Sequence, residues 1–323
     1  MTNWYAFNGD ADGLCAQQQL RLAAPGAPGD LVLVTGVKRD IRLLERVPAK
    51  DGDMVTALDI SLDQNRAGLQ RLLEAGAWVR YFDHHFAGDI PAHPALLARI
   101  DESADVCTSI LVDRHLGGRY KAWAIAAAFG DNLAPVAQAM AGAMGLPAGI
   151  AAVLEQLGTC LNYNAYGESV DDLHVDPAAL AREMLPFADP AAFAAESSVC
   201  RALIAGYHED MDLGRRLAPF RERAGATVLL MPDAAWARRA IGVLANERIR
   251  NAPGQALAIL SPKSGGGFSI SVRTPRTAAR SAADFCRRFE TGGGRQSAGG
   301  INHLPDTEVD RFVAAFDACY AAG

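Results

Sequence analysis

The first third of the chain alternates short apolar runs with amphipathic stretches. Residues 4–7, 31–35, 55–58 and 79–82 are apolar, with β-branched and aromatic side chains among them. Between two of them lies NRAGLQRLLEAGA (65–77), whose leucines recur at helical spacing. Apolar strand-length runs joined by amphipathic helices predict parallel strands, so this part reads as an α/β domain. From about residue 137 to 223 the pattern turns helical, and Asp176-Pro177 and Asp189-Pro190 each put an N-cap before a helix-opening proline. Beyond Ala226, TVLLMP (227–232), ALAILSP (256–262) and FSISVRTP (268–275) read as strands, with helices expected over 235–251, 278–289 and 306–320. The expected division is an N-terminal domain over 1–185, a helical connector over 186–225 and a smaller α/β domain over 226–323. No internal repeat or low-complexity tract interrupts it.

Length agrees with more than one core, since 323 residues exceed the roughly 250–300 at which single cores stop growing. The sequence has no run of about 18 uncharged apolar residues, and MTNWYAFNGD lacks the basic region and cleavage site of a signal peptide. A cytoplasmic enzyme with no membrane partner is therefore expected. The six cysteines (15, 107, 160, 200, 286 and 319) show no CxxC spacing, which points to reduced core thiols rather than disulfides or structural zinc.

Charge is unevenly spread. Residues 238–295 carry eleven Lys or Arg and three acids, a balance of +8 in a chain whose net charge is −6, which leaves −14 for the remainder. An acidic protein with one basic segment is poorly built to coat long duplex nucleic acid. It suits a small phosphate-bearing ligand instead.

Acidic and imidazole groups gather just past the apolar runs. NGDADG (8–13) follows the first, LDIS (58–61) overlaps the end of the third, and FDHH (82–85) closes the fourth. In a parallel sheet the strand carboxyl ends share one edge, where ligands bind, so Asp10, Asp12, Asp59 and His84 can converge from distant positions. Asp131 ends AWAIAAAFGD (122–131), an alanine-rich stretch that reads as a buried helix. Several carboxylates in one place repel and cost several kcal/mol apiece to bury without a cation. A hard ligand set of aspartates with histidine suits a pair of manganese- or magnesium-like ions, with cobalt or iron as further candidates. Taken singly, the same residues also read as a glycine-ended turn (Asp10, Asp12), a helix cap (Asp59) and loop histidines.

In their order and spacing, NGDADG, LDIS, DHH and AFGDN (128–132) resemble the four metal-binding motifs of the DHH phosphoesterase superfamily. SVRTPR (271–276) and GGGRQSAGG (292–300) resemble its associated C-terminal domain, which has a mixed sheet and a GGGH signature. The resemblance covers nearly the whole chain, the helical connector least. It implies two divalent ions, most often Mn2+, held by Asp10, Asp12, Asp59, His84 and Asp131, with Asp59 bridging and His85 directed at the scissile phosphate. Asn8 stands where many members have a histidine, and its amide oxygen is a weaker ligand. Arg295 stands where the glycine-rich signature has histidine; it keeps a phosphate contact but is no proton donor.

The resemblance further implies hydrolysis of a phosphoester by a metal-activated hydroxide, with substrate held by His85, Arg273, Gly293, Gly294 and Arg295. Oligoribonuclease-like and dinucleotide phosphodiesterase members fit best, acting on linear dinucleotides or short oligonucleotides, with cyclic dinucleotides in the same class. The same core also serves single-strand exonucleases and phosphoanhydride hydrolases, and a nucleotide sensor without turnover is a further alternative. A homodimer is left open. Ser109 reads as core packing, and residues 160–177 as a lid or as the ordered end of the first domain.

Overall fold

The computed structural model describes residues 1–25 and 31–321. It divides into two compact units, Met1–Gly206 and Tyr207–Gly323, with the division inside a helix.

In the first unit, β1 (Asn3–Phe7), β2 (Leu31–Val34), β3 (Met54–Leu58), β4 (Trp78–Asp83) and β5 (Leu96–Ile100) form one sheet in the order β2-β1-β3-β4-β5. Every pairing is parallel. The four apolar runs read from the sequence are β1 to β4. The fifth strand, whose residues alternate between half-buried and exposed, is not among the runs read from the sequence. Strand order reverses between β1 and β3, so the connections leaving their carboxyl ends diverge and open a crevice there. NGDADG and LDIS occupy the two sides of that crevice.

Helices α1 (Ala11–Ala23) and α2 (Leu62–Glu74) follow β1 and β3. They are succeeded by α3 (Thr108–His115), α4 (Lys121–Gly130), α5 (Ala134–Ala143), α6 (Ala148–Tyr163), α7 (Pro177–Met184), α8 (Pro190–Glu196) and α9 (Ser198–Arg215). Ser61 caps α2, while Asp176 and Asp189 cap α7 and α8 ahead of their prolines as the sequence predicts. Val55, Ala57, Leu62, Leu69, Leu72, Val79 and Tyr81 form a buried cluster joining the sheet to α2. Helix α4 is buried from Trp123 to Gly130, as its apolar circumference requires. It meets α6 so closely that a Cβ on Gly158 would lie 1.9 Å from the Ala126 carbonyl oxygen. This contact fixes the end of α4, where Asp131 stands.

In the second unit, β6 (Arg221–Arg223), β7 (Ala226–Leu230), β8 (Ala256–Pro262), β9 (Phe268–Arg273), β10 (Gly292–Gly294) and β11 (Ala298–Leu304) form a sheet ordered β10-β11-β9-β8-β7-β6. Only β7 and β8 pair in parallel, so this sheet is mixed. Its core packs Phe285, Phe289, Phe312 and Phe316 beneath the strands. Helices α10 (Ala235–Asn251) and α12 (Val309–Tyr320) match the expected spans, the latter after a short 3-10 turn. The helix expected over 278–289 shrinks to α11 (Ala282–Cys286), because the Ser281 hydroxyl accepts from Asp284 N at 3.0 Å and caps it there. The glycine run pairs β10 with β11 as a hairpin.

Candidate metal centre

Asp10 ends the turn after β1 and caps α1, its Oδ1 accepting from Asp12 N at 3.0 Å and Gly13 N at 3.2 Å. One residue into the helix, Asp12 reaches sideways to the start of α3. Its two carboxylate oxygens accept from Thr108 N and Ser109 N, each at 2.7 Å. Two helix N-termini thus each receive one carboxylate, which suits the positive end of a helix. Ser109 is fully buried, and it touches the cluster through this N–H and through a hydroxyl bond to the Asp12 carbonyl (3.1 Å).

Asp59 is buried just past β3 and takes a left-handed backbone conformation with φ of 57°. Without glycine this costs on the order of 1–2 kcal/mol, a strain of the kind that clusters at functional sites. It does not cap the next helix, a task that falls to Ser61. The His84 ring is oriented by the Val106 carbonyl, 2.9 Å from Nδ1. A carbonyl only accepts, so Nδ1 carries the proton and Nε2 presents its lone pair in the neutral ring. That Nε2 lies 3.4 Å from Asp59, 3.8 Å from Asp131 and 3.9 Å from Asp12. Asp12, His84 and Asp131 form one group able to share a metal ion, and Asp59, His84 and His85 form a second.

His85 Nδ1 lies 2.7 Å from Asp83 Oδ1, and Asp83, the last residue of β4, has no exposed surface. The His85 side chain is 40% exposed, so its other nitrogen is the one left for a ligand. Burial lowers the basicity of His85, but the Asp83 bond outweighs it and holds the ring above the usual imidazole range. The three residues of DHH thus separate by position: a buried orienting acid, a histidine among carboxylates and a half-exposed histidine beside them.

Electrostatics fit a cationic ligand. Burial, reinforced by the charges of Asp10, Asp12 and Asp131, pushes Asp59 well above the usual carboxylate range. Burial also raises Asp131 to about 6, against the pull of Lys38. Asp10 moves the other way: burial would raise it, but the Lys38 ammonium brings it down to about 2. The buried Asn8 side-chain oxygen has no hydrogen-bond partner among the described residues, while its amide nitrogen donates to the Lys38 carbonyl oxygen at 3.3 Å. A partnerless acceptor beside a group of buried carboxylates, with Asp59 and Asp131 pushed up by burial and by their neighbours' charges, is an arrangement that a divalent cation would relieve.

Lys38 was not singled out from the sequence. It follows β2, whose carboxyl end shares the sheet edge with the acidic clusters, and the strand-end rule would have found it had it been applied to cations as well. Its ammonium bonds Asp10 Oδ2, donates to Asn162 Oδ1 at 2.9 Å and stands 4.0 Å from Asp131. Asn162 and the nearby Tyr166 ring come from the stretch read as a lid or domain end.

In the second unit, Arg273 ends β9 and donates to Asn246 Oδ1 (3.2 Å) and Ser271 Oγ (3.0 Å). Ala298, opposite Arg273 in the sheet, accepts from Arg295 N at 2.7 Å, so both arginines lie at one corner of the hairpin. Gly292 and Gly294 are required by packing, since a Cβ there would approach backbone within 1.9 and 2.4 Å. A Cβ at Gly293 would meet nothing within 4 Å.

The parallel sheet, the mixed sheet and the acid-histidine cluster at the β1/β3 crevice agree with the architecture that the sequence resemblance implies. Among solved structures, the chain is similar to exonuclease RecJ bound to manganese, with a TM-score of 0.64 at 20% identity, covering 98% of this chain and 89% of that one. It is similar to RecJ from Thermus thermophilus in complex with Mn2+, with a TM-score of 0.63 at 19% identity, where it spans 98% of its own length and 51% of the other chain. CDC45 from Entamoeba histolytica has a TM-score of 0.51 at 8% identity, over 98% and 95% of the two chains. At these identities the likeness is one of fold. No protein-family model and no curated protein matches the sequence.

Proposed function

We propose that the protein is a metal-dependent phosphoesterase that hydrolyses linear dinucleotides and short oligonucleotides. The observation that carries this reading is the meeting of Asp12, Asp59, His84 and Asp131 around one lone pair at the switch point of a parallel sheet. Two divalent ions, Mn2+ first among them, would be held by these residues together with Asp10 and Asn8, and Asp59 would bridge. When bound, such ions supply Lewis acidity and lower the pKa of water at neutral pH. The protein's own residues do the rest. Asp83 fixes the His85 ring so that its free nitrogen faces the substrate side, where it orients the phosphate or delivers a proton to the leaving oxygen. Asp12, pinned by two backbone N–H groups, is a ligand that cannot drift.

Short substrates are favoured over long strands. A single-strand channel stacks bases on exposed aromatic rings. The aromatics of the basic segment 238–295 are Phe268, Phe285 and Phe289; the last two are core residues and the first packs against that core. Arg273, Gly293, Gly294 and Arg295 are proposed as substrate-binding residues of the second unit. The six cysteines are free, five of them buried, which fits a reducing compartment such as the cytoplasm.

The test is hydrolysis in Mn2+ of a linear dinucleotide, a cyclic dinucleotide, a hexanucleotide and pyrophosphate, with products resolved chromatographically. The linear dinucleotide should be cleaved fastest and pyrophosphate spared. Turnover of pyrophosphate alone, or inertness to all four with metal bound, overturns the reading.

A further inference from the structure

Lys38 is a cation built into an otherwise acidic centre. Its backbone is fixed on both sides: its N–H donates to the Ala165 carbonyl at 2.8 Å and its carbonyl accepts from the Asn8 amide. The loop carrying it presses on NGDADG, where a Cβ on Gly9 would lie 2.1 Å from the Gly36 carbonyl oxygen. The side chain remains 26% exposed. One of its three donors is on Asp10 and one on Asn162, and Asp131 stands just beyond bonding range.

We propose that Lys38 has two successive partners, Asp10 in the metal-free protein and the substrate phosphate once divalent ions are in place. This deepens the phosphoesterase reading and rests on it. Asp10, Asp12, Asp59 and Asp131 carry four negative charges when ionised, and two divalent ions balance them. The charge of an incoming phosphodiester is then left over. The Lys38 ammonium would be repelled from Asp10 by an ion held there, and its Asn162 bond would keep it beside the centre. An ammonium there meets the phosphate as a point charge. Lys38 thus makes the ion at Asp10 the weaker one and raises affinity for anions in the loaded protein.

Neither consequence depends on turnover. Lys38→Gln keeps an amide donor and removes the charge. In a manganese titration of the full chain followed by electron paramagnetic resonance, the weaker site should tighten by ~10-fold or more. In calorimetric titration of the Mn2+-loaded protein with adenosine 5′-monophosphate, affinity should fall by ~10-fold. Lys38→Arg, which keeps the charge, should behave like the parent in both, and thermal melting establishes that each variant is folded. Unchanged manganese affinity in Lys38→Gln overturns the first half of the proposal, and unchanged nucleotide affinity overturns the second. These readings stand even if the substrate panel shows no hydrolysis, a result that would instead count against the proposed activity.

Discussion

The two units use charge in opposite ways. The first buries Asp10, Asp12 and Asp59 beside the mostly covered His84, and among the described residues the ammonium that meets them is that of Lys38. The second buries Asp210 and Arg239 as an opposed pair, joined at 2.8 Å, and leaves Arg295 exposed. Topology explains the contrast. A parallel sheet sends every strand's carboxyl end to one edge, so acids placed after three strands must meet. A mixed sheet sends its strand ends both ways, and its charges pair locally or face solvent. An excess of one sign in a buried place therefore marks where a ligand of the other sign belongs, whereas a balanced buried pair marks structure.

The contrast can be broken most sharply at Asp59. Asp59→Asn should lower activity on the order of 10³-fold and weaken manganese binding, whereas Arg295→Ala should leave manganese binding intact and raise KM. Full activity in Asp59→Asn would contradict the metal-holding role proposed for it. Next in size is the His85 pair. His85→Gln should cost ~10²-fold in kcat, and Asp83→Asn ~10-fold or more through misorientation of the ring, with KM little moved in either. An Asp83→Asn variant with an unchanged pH-rate profile would show that Asp83 has no such effect.

Glycines sharpen the comparison through stability. Gly158→Ala forces a methyl into the Ala126 carbonyl and should cost ~3 kcal/mol in denaturant unfolding. Gly293→Ala meets open space and should unfold like the parent, yet raise KM if substrate approaches that backbone. A pH slope tests the same site without metal. Asp131, raised from 3.8 to about 6, holds its proton more tightly folded than unfolded. In chelator, the folded state should therefore lose up to ~3 kcal/mol from this group as pH rises from about 4 through 6. Asp131→Asn should flatten that slope, and manganese should offset the loss at pH 7. A chelated protein equally stable at both ends of the range would contradict the assignment.

Much of this was legible in the chain itself, for physical reasons. β1 to β4 each carry a short, mostly apolar run, so they announce themselves; β5 is shorter in its apolar run (Leu96–Ala98) and alternates half-buried with exposed residues. The strand-end acids were found because one rule places them all on one edge. Three positioning features stayed hidden: Lys38, the Thr108 and Ser109 N–H groups on Asp12, and the Asp83 support of His85. The strand-end rule reaches Lys38 if applied to cations, whereas the other two depend on where a helix start or a strand end lands in space, which periodicity does not encode. The second unit was legible as strands and long helices, but α11 was overextended because Ser281 caps locally and the flanking alanines carry no stop signal.

The central claim is that an excess of buried carboxylate in the first unit exists to hold divalent cations. Calorimetric titration of the full chain with Mn2+ at pH 7 tests it most directly. Saturable uptake of two ions, reversed by chelator and weakened in Asp59→Asn, is the predicted result. A folded chain that takes up no manganese would contradict it.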